Sequence, residues 1–310
     1  MTTSSWPPPS WPPPSASWAP LASRSFSLAP EPSGRPSFEP PRPPHDTLPW
    51  QSGAGAVAVL VVSLLASKLL LEVIVGFEWP IVVYVVILGV TGYGPSLLWW
   101  RHATDRWGSG DALGDVGARP RWADLGWGPV IWLAAIGTQV AVAAIVIGLD
   151  VPISNNTDGI DQLRTDRAYV IATVITAVIA APLVEEIVFR GLVMRSLLGR
   201  TPPLVAVPAQ GVLFGVAHVD PVRGAGNIGL ALVLSGVGIA FGGFAYMLRR
   251  IGPTIVAHAV FNGVVMILVL TGAADRIREQ NDPFASGARE QVAVVDQAHV
   301  TEPHGGRHSG

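Results

Sequence analysis

Glu185, Glu186 and Arg190 stand together in the stretch LVEEIVFRGL (183–192), and the segment ahead of them, AYVIATVITAVIAAP (168–182), carries no charge. A charged side chain at the centre of a membrane helix costs about 2.5–3.5 kcal/mol on insertion scales. Three such groups so close together therefore require partners. Helical geometry divides them. Glu186 and Arg190 are four apart, lie on one face and can pair. Glu185 is turned about 100° from Glu186 and has no partner in its own helix. Further on, LFGVAH places Phe214 and His218 four apart, and VAHAVFN places His258 and Asn262 four apart on one face. A carboxylate, two imidazoles and a carboxamide thus project from three apolar segments. Brought together, they make a polar cavity inside a membrane bundle.

The chemistry such a set supports is hydrolysis. Glu185 serves as general base on a water. His218 shares that water and protonates the leaving amine. His258 and Asn262 donate hydrogen bonds to the oxyanion of a tetrahedral intermediate. Glu186 and Arg190, with Phe214, support the helices that present these groups. No cofactor is needed on this reading. The competing arrangement is zinc held by Glu185, His218 and His258, with an open position for water. No HExxH motif supports it, and no GxSxG elbow occurs. GSGD at 108–111 sits in a hydrophilic loop without a second aspartate in an apolar span. The chain has no cysteine, which excludes disulfides, thiolate metal sites and a cysteine nucleophile.

The elements that must position these groups are membrane helices. The chain is 49% hydrophobic and only 14% charged, with a mean hydropathy of +0.43, against about 25% charged in an ordinary soluble domain. Apolar runs at roughly 53–76, 80–100, 129–149, 168–194, 203–219, 228–248 and 253–273 each approach the ~20 residues that cross a bilayer. The expected fold is an all-α, polytopic bundle of about seven transmembrane helices, residues 50–273. The fifth run is short and broken by Pro208, which suits a helix packed inside protein. Pro182 lacks an N–H, so the helix should loosen one turn back, near Val178. Gly211 with Gly215, and Gly238 with Gly242, mark close helix packing. Lys68 and Glu72 are four apart and read as a structural ion pair.

Outside the bundle, residues 1–49 repeat SWPPP and are rich in Pro and Ser, which reads as a disordered tail. Residues 274–310 are polar and read the same way. The loops at 101–127, near 200 and near 250 carry eight arginines, and the opposite loops carry three. The arginine-rich side and the N-terminus are then cytoplasmic, in a multi-pass protein of the cell membrane. The net charge of −2 argues against nucleic acid as a partner.

In this order, EExxxR (Glu185, Glu186, Arg190), FxxxH (Phe214, His218) and HxxxN (His258, Asn262) resemble the CPBP family. That family includes the type II CAAX prenyl endopeptidases and the bacterial Abi proteins. The resemblance covers about residues 165–272, and ALGDVGARPRWADLGWG (112–128) is similar to the amphipathic lead-in of bacterial members. It implies an all-α intramembrane peptidase whose cavity opens to the cytoplasm. Glu185 and His218 would be its water-activating pair, and His258 and Asn262 its oxyanion stabilisers. Members are often classed as metallopeptidases, although the known architecture fits a glutamate-dependent mechanism. The implied partner is a peptide or protein substrate, membrane-anchored or not, beside the lipid bilayer itself. Two other classes remain open. One is a non-enzymatic scaffold or bacteriocin-immunity protein of the same fold. The other is an ion-coupled transporter, although the internal repeat such proteins often carry is not seen.

Overall fold

The computed structural model describes residues 48–154, 166–220, 224–273 and Arg276. The proline-rich head, up to residue 47, and the polar tail, Arg276 apart, lie outside the described residues. Among the described residues the secondary structure is helical throughout. Helix α1 (Trp50–Ile74) runs into a 3₁₀ turn (Val75–Phe77), and α2 (Ile81–Trp107) returns beside it. A short α3 (Ala112–Asp115) leads to α4 (Ala123–Gly148). One continuous helix then spans Arg167–Leu198. It is built from α5 (Arg167–Ile175), a π turn (Thr176–Ala180), α6 (Ala181–Glu186), a π-helical run (Ile187–Met194) and α7 (Arg195–Leu198). Helices α8 (Pro203–Val216), α9 (Gly226–Leu248) and α10 (Gly252–Leu270) complete the bundle.

Six of these helices are long and apolar enough to cross a membrane, and α8, of 14 residues, is shorter. At 1.5 Å per residue α8 covers about 21 Å, less than the ~30 Å hydrocarbon core. The protein is therefore a polytopic membrane bundle with six full-length spans and one shorter apolar helix. Val62, Leu65, Leu69 and Val73 on α1, and Leu133, Val140 and Ile147 on α4, face outward and exposed. That apolar surface is what lipid covers. By contrast, 61% of the most apolar stretch of α9 is buried, against 17% in α2 and in α4, which puts α9 at the centre.

The spaced glycines bring α8 and α9 together. A Cβ on Gly238 would come 2.9 Å from the Cα and O of Gly211, closer than real Cβ atoms approach. This close approach has a consequence for the site. Fully buried Gln210 and fully buried Arg190 both donate to the Gly238 carbonyl, at 2.9 and 3.1 Å. At the far end of the long helix, Asp166 accepts from the Ala168 and Tyr169 amides and caps α5. The expected pairing of Lys68 with Glu72 does not form. Lys68 Nζ instead lies 3.0 Å from Asp220 Oδ1 and ties α1 to the loop after His218. Asn227 holds both the amide and the carbonyl of Asp220, so this carboxylate needs little further ordering to receive the lysine.

Candidate active site

The long helix departs from α geometry on both sides of the glutamates. The Ala181 amide donates to Thr176 O, five residues back, which is the wide π register. Sequence placed a loosened turn near Val178, and Val178 lies at the middle of this one. Glu185 and Glu186 close α6, and the π run begins immediately after them.

Glu186 is fully buried and fully engaged. Its Oε1 accepts from Arg190 Nη1 at 2.9 Å and faces His258 Nδ1 at 3.2 Å, while Oε2 accepts from Thr254 Oγ1 at 2.7 Å. Arg190, also fully buried, donates from Nη2 to Gly238 O. Its guanidinium lies 4.5 Å from the Phe214 ring centroid and 5.4 Å from that of Phe241. Cation–π contact of this kind is worth more when desolvated. Phe214 has a second task, because its carbonyl receives His218 Nδ1 at 2.8 Å.

Glu185 points elsewhere, as its offset of about 100° requires. Its Oε2 lies 3.9 Å from His218 Nε2 and 3.8 Å from His258 Nε2, and is buried without a hydrogen-bond partner. Those separations are too long for direct hydrogen bonds. They suit one water held among the three atoms. Oxygen acceptors at both Nδ1 positions fix the tautomers. With Phe214 O and the Glu186 carboxylate there, each Nδ1 carries a proton and each ring turns its Nε2 toward Glu185.

The structure therefore brings Glu185, His218 and His258 around one point, with Glu186, Arg190 and Phe214 behind them. Asn262 is placed differently from its expected pairing with His258. Its Nδ2 donates to the Ala177 carbonyl in the π turn at 2.7 Å. Tyr93 joins the site without any signal in the sequence. From α2, its hydroxyl lies 3.4 Å from Glu185 Oε1 and donates to it. A tyrosine in an apolar span is ordinary, and nothing in the local stretch VTGYGPS marks it. The groove lined by Leu113, Trp122, Leu125 and Leu183 takes no part, because Leu183 is about 200° around the helix from Glu185.

The zinc alternative can be weighed on the donor set. Glu185 Oε2 and the two Nε2 atoms are the right chemistry for a His₂Glu site, and each imidazole has the Nδ1 anchor that metal-bound histidines use. As the side chains stand, however, no three His, Asp or Glu groups among the described residues converge closely enough to hold an ion.

Comparison with known proteins follows the same residues. Residues 167–264 match the family model "Type II CAAX prenyl endopeptidase Rce1-like". Every glutamate, histidine and asparagine of the constellation falls within that match, and Tyr93 falls outside it. The chain is also 24% identical over 166 residues to a Bacillus subtilis (strain 168) protein named "Putative membrane peptidase YdiL". The aligned part is 54% of this chain and 63% of that relative's length. No solved structure matches the chain. The family match is thus laid across the constellation at the centre of the helical bundle, and over residues 167–264 this chain is similar to the Rce1-like type II CAAX prenyl endopeptidases.

Proposed function

We propose that the protein is an intramembrane endopeptidase that hydrolyses a peptide bond with a water activated by Glu185. The observation that carries this reading is the buried, unpartnered Glu185 Oε2 facing two imidazole Nε2 atoms. A buried carboxylate oxygen without a hydrogen-bond donor is costly unless a proton-bearing molecule sits beside it. Water is the smallest that fits. Glu185 Oε2 takes a proton from it, and the hydroxide attacks the scissile carbonyl carbon. A doubly protonated His258, its Nδ1–H on Glu186, donates from Nε2 to the oxyanion that forms and keeps that proton throughout. The proton taken by Glu185 passes through His218 Nε2, whose ring is tethered to Phe214 O, to the amide nitrogen, which returns Glu185 to its carboxylate form. The C–N bond then breaks to give a carboxylate and an amine.

The substrate on this reading is a peptide or protein segment, membrane-anchored in the CAAX-type case. The excess of arginine in the loops at 101–127, near 200 and near 250 supports an N-terminus on the cytoplasmic side of the cell membrane, and the family resemblance supports a site that opens to the same side.

The decisive experiment incubates the purified chain, in detergent and in nanodiscs, with internally quenched peptides and reads cleavage by fluorescence and mass spectrometry. Cleavage that survives chelation is the expected result. Activity lost on chelation and restored by zinc would transfer Glu185, His218 and His258 to a metal. Peptide binding without cleavage would favour the scaffold reading.

Tyr93 supplies a smaller prediction. Its bond to a carboxylate holds Glu185 Oε1 and leaves Oε2 to face the imidazoles. Tyr93→Phe should lower kcat by about tenfold, the effect of ~1.5 kcal/mol, the lower end for a hydrogen bond to a charged group. KM should stay near the wild-type value, because the hydroxyl has no part in holding substrate. A changed KM at constant kcat would move Tyr93 from Glu185 to the substrate.

A further inference from the structure

Asn262 has one observed partner, and that partner has a defect in its own helix. In the π turn, Ala181 N donates to Thr176 O. The next link in the same register would run from residue 182 to Ala177 O. Residue 182 is Pro182, which has no N–H. The Ala177 carbonyl is thereby deprived of its donor within the apolar part of the bundle, where an unsatisfied backbone group is expensive. Asn262 Nδ2, from α10, fills that vacancy at 2.7 Å. The two helices are in contact there, and a Cβ on Gly263 would meet Val178 Cγ1 at 3.7 Å.

We propose that Asn262 is a positioning residue whose carboxamide replaces the hydrogen bond that Pro182 removes. It thereby fixes α6, and Glu185 on it, against α10. The spacing explains why this matters. His258, one turn before Asn262 on α10, contacts Glu186 and faces Glu185. Asn262 grips the same helix eight residues before Glu185. Ties from one face of α10 lie on either side of Pro182, Thr254 and His258 to Glu186 after it and Asn262 to Ala177 before it, and together they set the height and rotation of Glu185 relative to His258. Without the Asn262 tie, the interrupted turn is free to slide or rewind into α register, and Glu185 Oε2 leaves the point it shares with the two Nε2 atoms. The structural half of this proposal stands alone; its effect on turnover rests on the peptidase reading above.

The test uses the full chain in nanodiscs and four proteins: wild type, Asn262→Leu, Pro182→Ala and the double variant. Amide hydrogen exchange across residues 176–184 and peptide cleavage are both measured. Asn262→Leu should speed exchange there by about tenfold, as the loss of one hydrogen bond implies, and should slow cleavage at least as much. Pro182→Ala returns an N–H to the helix and should behave close to wild type. The distinctive result is the double variant, in which the restored N–H makes the carboxamide redundant. Its exchange and cleavage should recover to the level of Pro182→Ala. Unchanged exchange in Asn262→Leu overturns the proposal. So does a double variant as slow as Asn262→Leu while Pro182→Ala cleaves normally, since Asn262 would then act on the substrate. Should Pro182→Ala fail to fold, exchange in Asn262→Leu alone decides. Should no protein cleave any peptide, exchange still decides the role of Asn262, and the peptidase reading falls separately.

Discussion

Glu185→Gln is expected to fold like the wild type and to cleave peptide about 10²–10⁴-fold more slowly, the range for a lost general base. The amide keeps the size and shape of the carboxylate, and its oxygen can still accept from Tyr93. It cannot take a proton from water. The fold should not notice the change, because Oε2 makes no hydrogen bond in the bundle and the Oε1 contact with Tyr93 is long, at 3.4 Å. The amide N–H₂ also brings donors to a place where the carboxylate had none. Rate and thermal stability should therefore separate: the melting temperature holds and the turnover goes. Cleavage at an undiminished rate by folded Glu185→Gln would remove Glu185 from the chemistry. Loss of folding together with activity would make it structural, like its neighbour.

That the two adjacent glutamates face different partners was legible before any coordinates. Ionisable groups in apolar runs are rare because they are costly, so each is informative, and the α-helical period separates Glu185 from the face shared by Glu186 and Arg190. The apolar runs located the spans for the same reason, and the brevity of the fifth run anticipated α8 with its 14 residues. Pro182 announced a wide turn, because a missing N–H cannot be compensated by the helix itself.

What sequence could not give is the partner of a group that looks ordinary or already paired. Tyr93 lies 92 positions from Glu185 and on another helix. An aromatic residue with a hydroxyl fits equally well against lipid, core or site, and only convergence of α2 with α6 distinguishes them. Lys68 had a plausible neighbour in Glu72, so local spacing concealed the carboxylate of Asp220, 152 positions away. Asn262 is a similar case. The sequence puts it four residues from His258 and on its face, which points to no partner elsewhere in the chain. Its observed contact is a backbone carbonyl exposed by a proline 80 positions earlier, and no periodicity links the two.

Arg190→Ala should be the most destabilising single substitution in the site, at about 3–5 kcal/mol, the usual cost of removing one partner from a buried ion pair. The guanidinium is completely enclosed and does three things at once. It neutralises Glu186, donates to the Gly238 carbonyl where α8 and α9 are closely packed, and lies over Phe214. Alanine leaves the Glu186 charge buried with only Thr254 and His258 beside it. It also opens a cavity at the junction of α6, α8, α9 and α10. The measurable consequences are less folded protein in the membrane and a lowered melting temperature in detergent. Arg190→Lys should recover only part of the loss, since a single ammonium can face Glu186 but cannot also reach Gly238 with the geometry of a planar fork. Removing both charges separates the electrostatic cost from the role in catalysis. Glu186→Leu with Arg190→Leu buries no unpaired charge and should be more stable than Arg190→Ala. It should nevertheless cleave poorly, because His258 Nδ1 has lost the carboxylate that fixes its tautomer. An Arg190→Ala protein that is made and melts like the wild type, yet turns over slowly, would contradict this account and place the guanidinium in the chemistry.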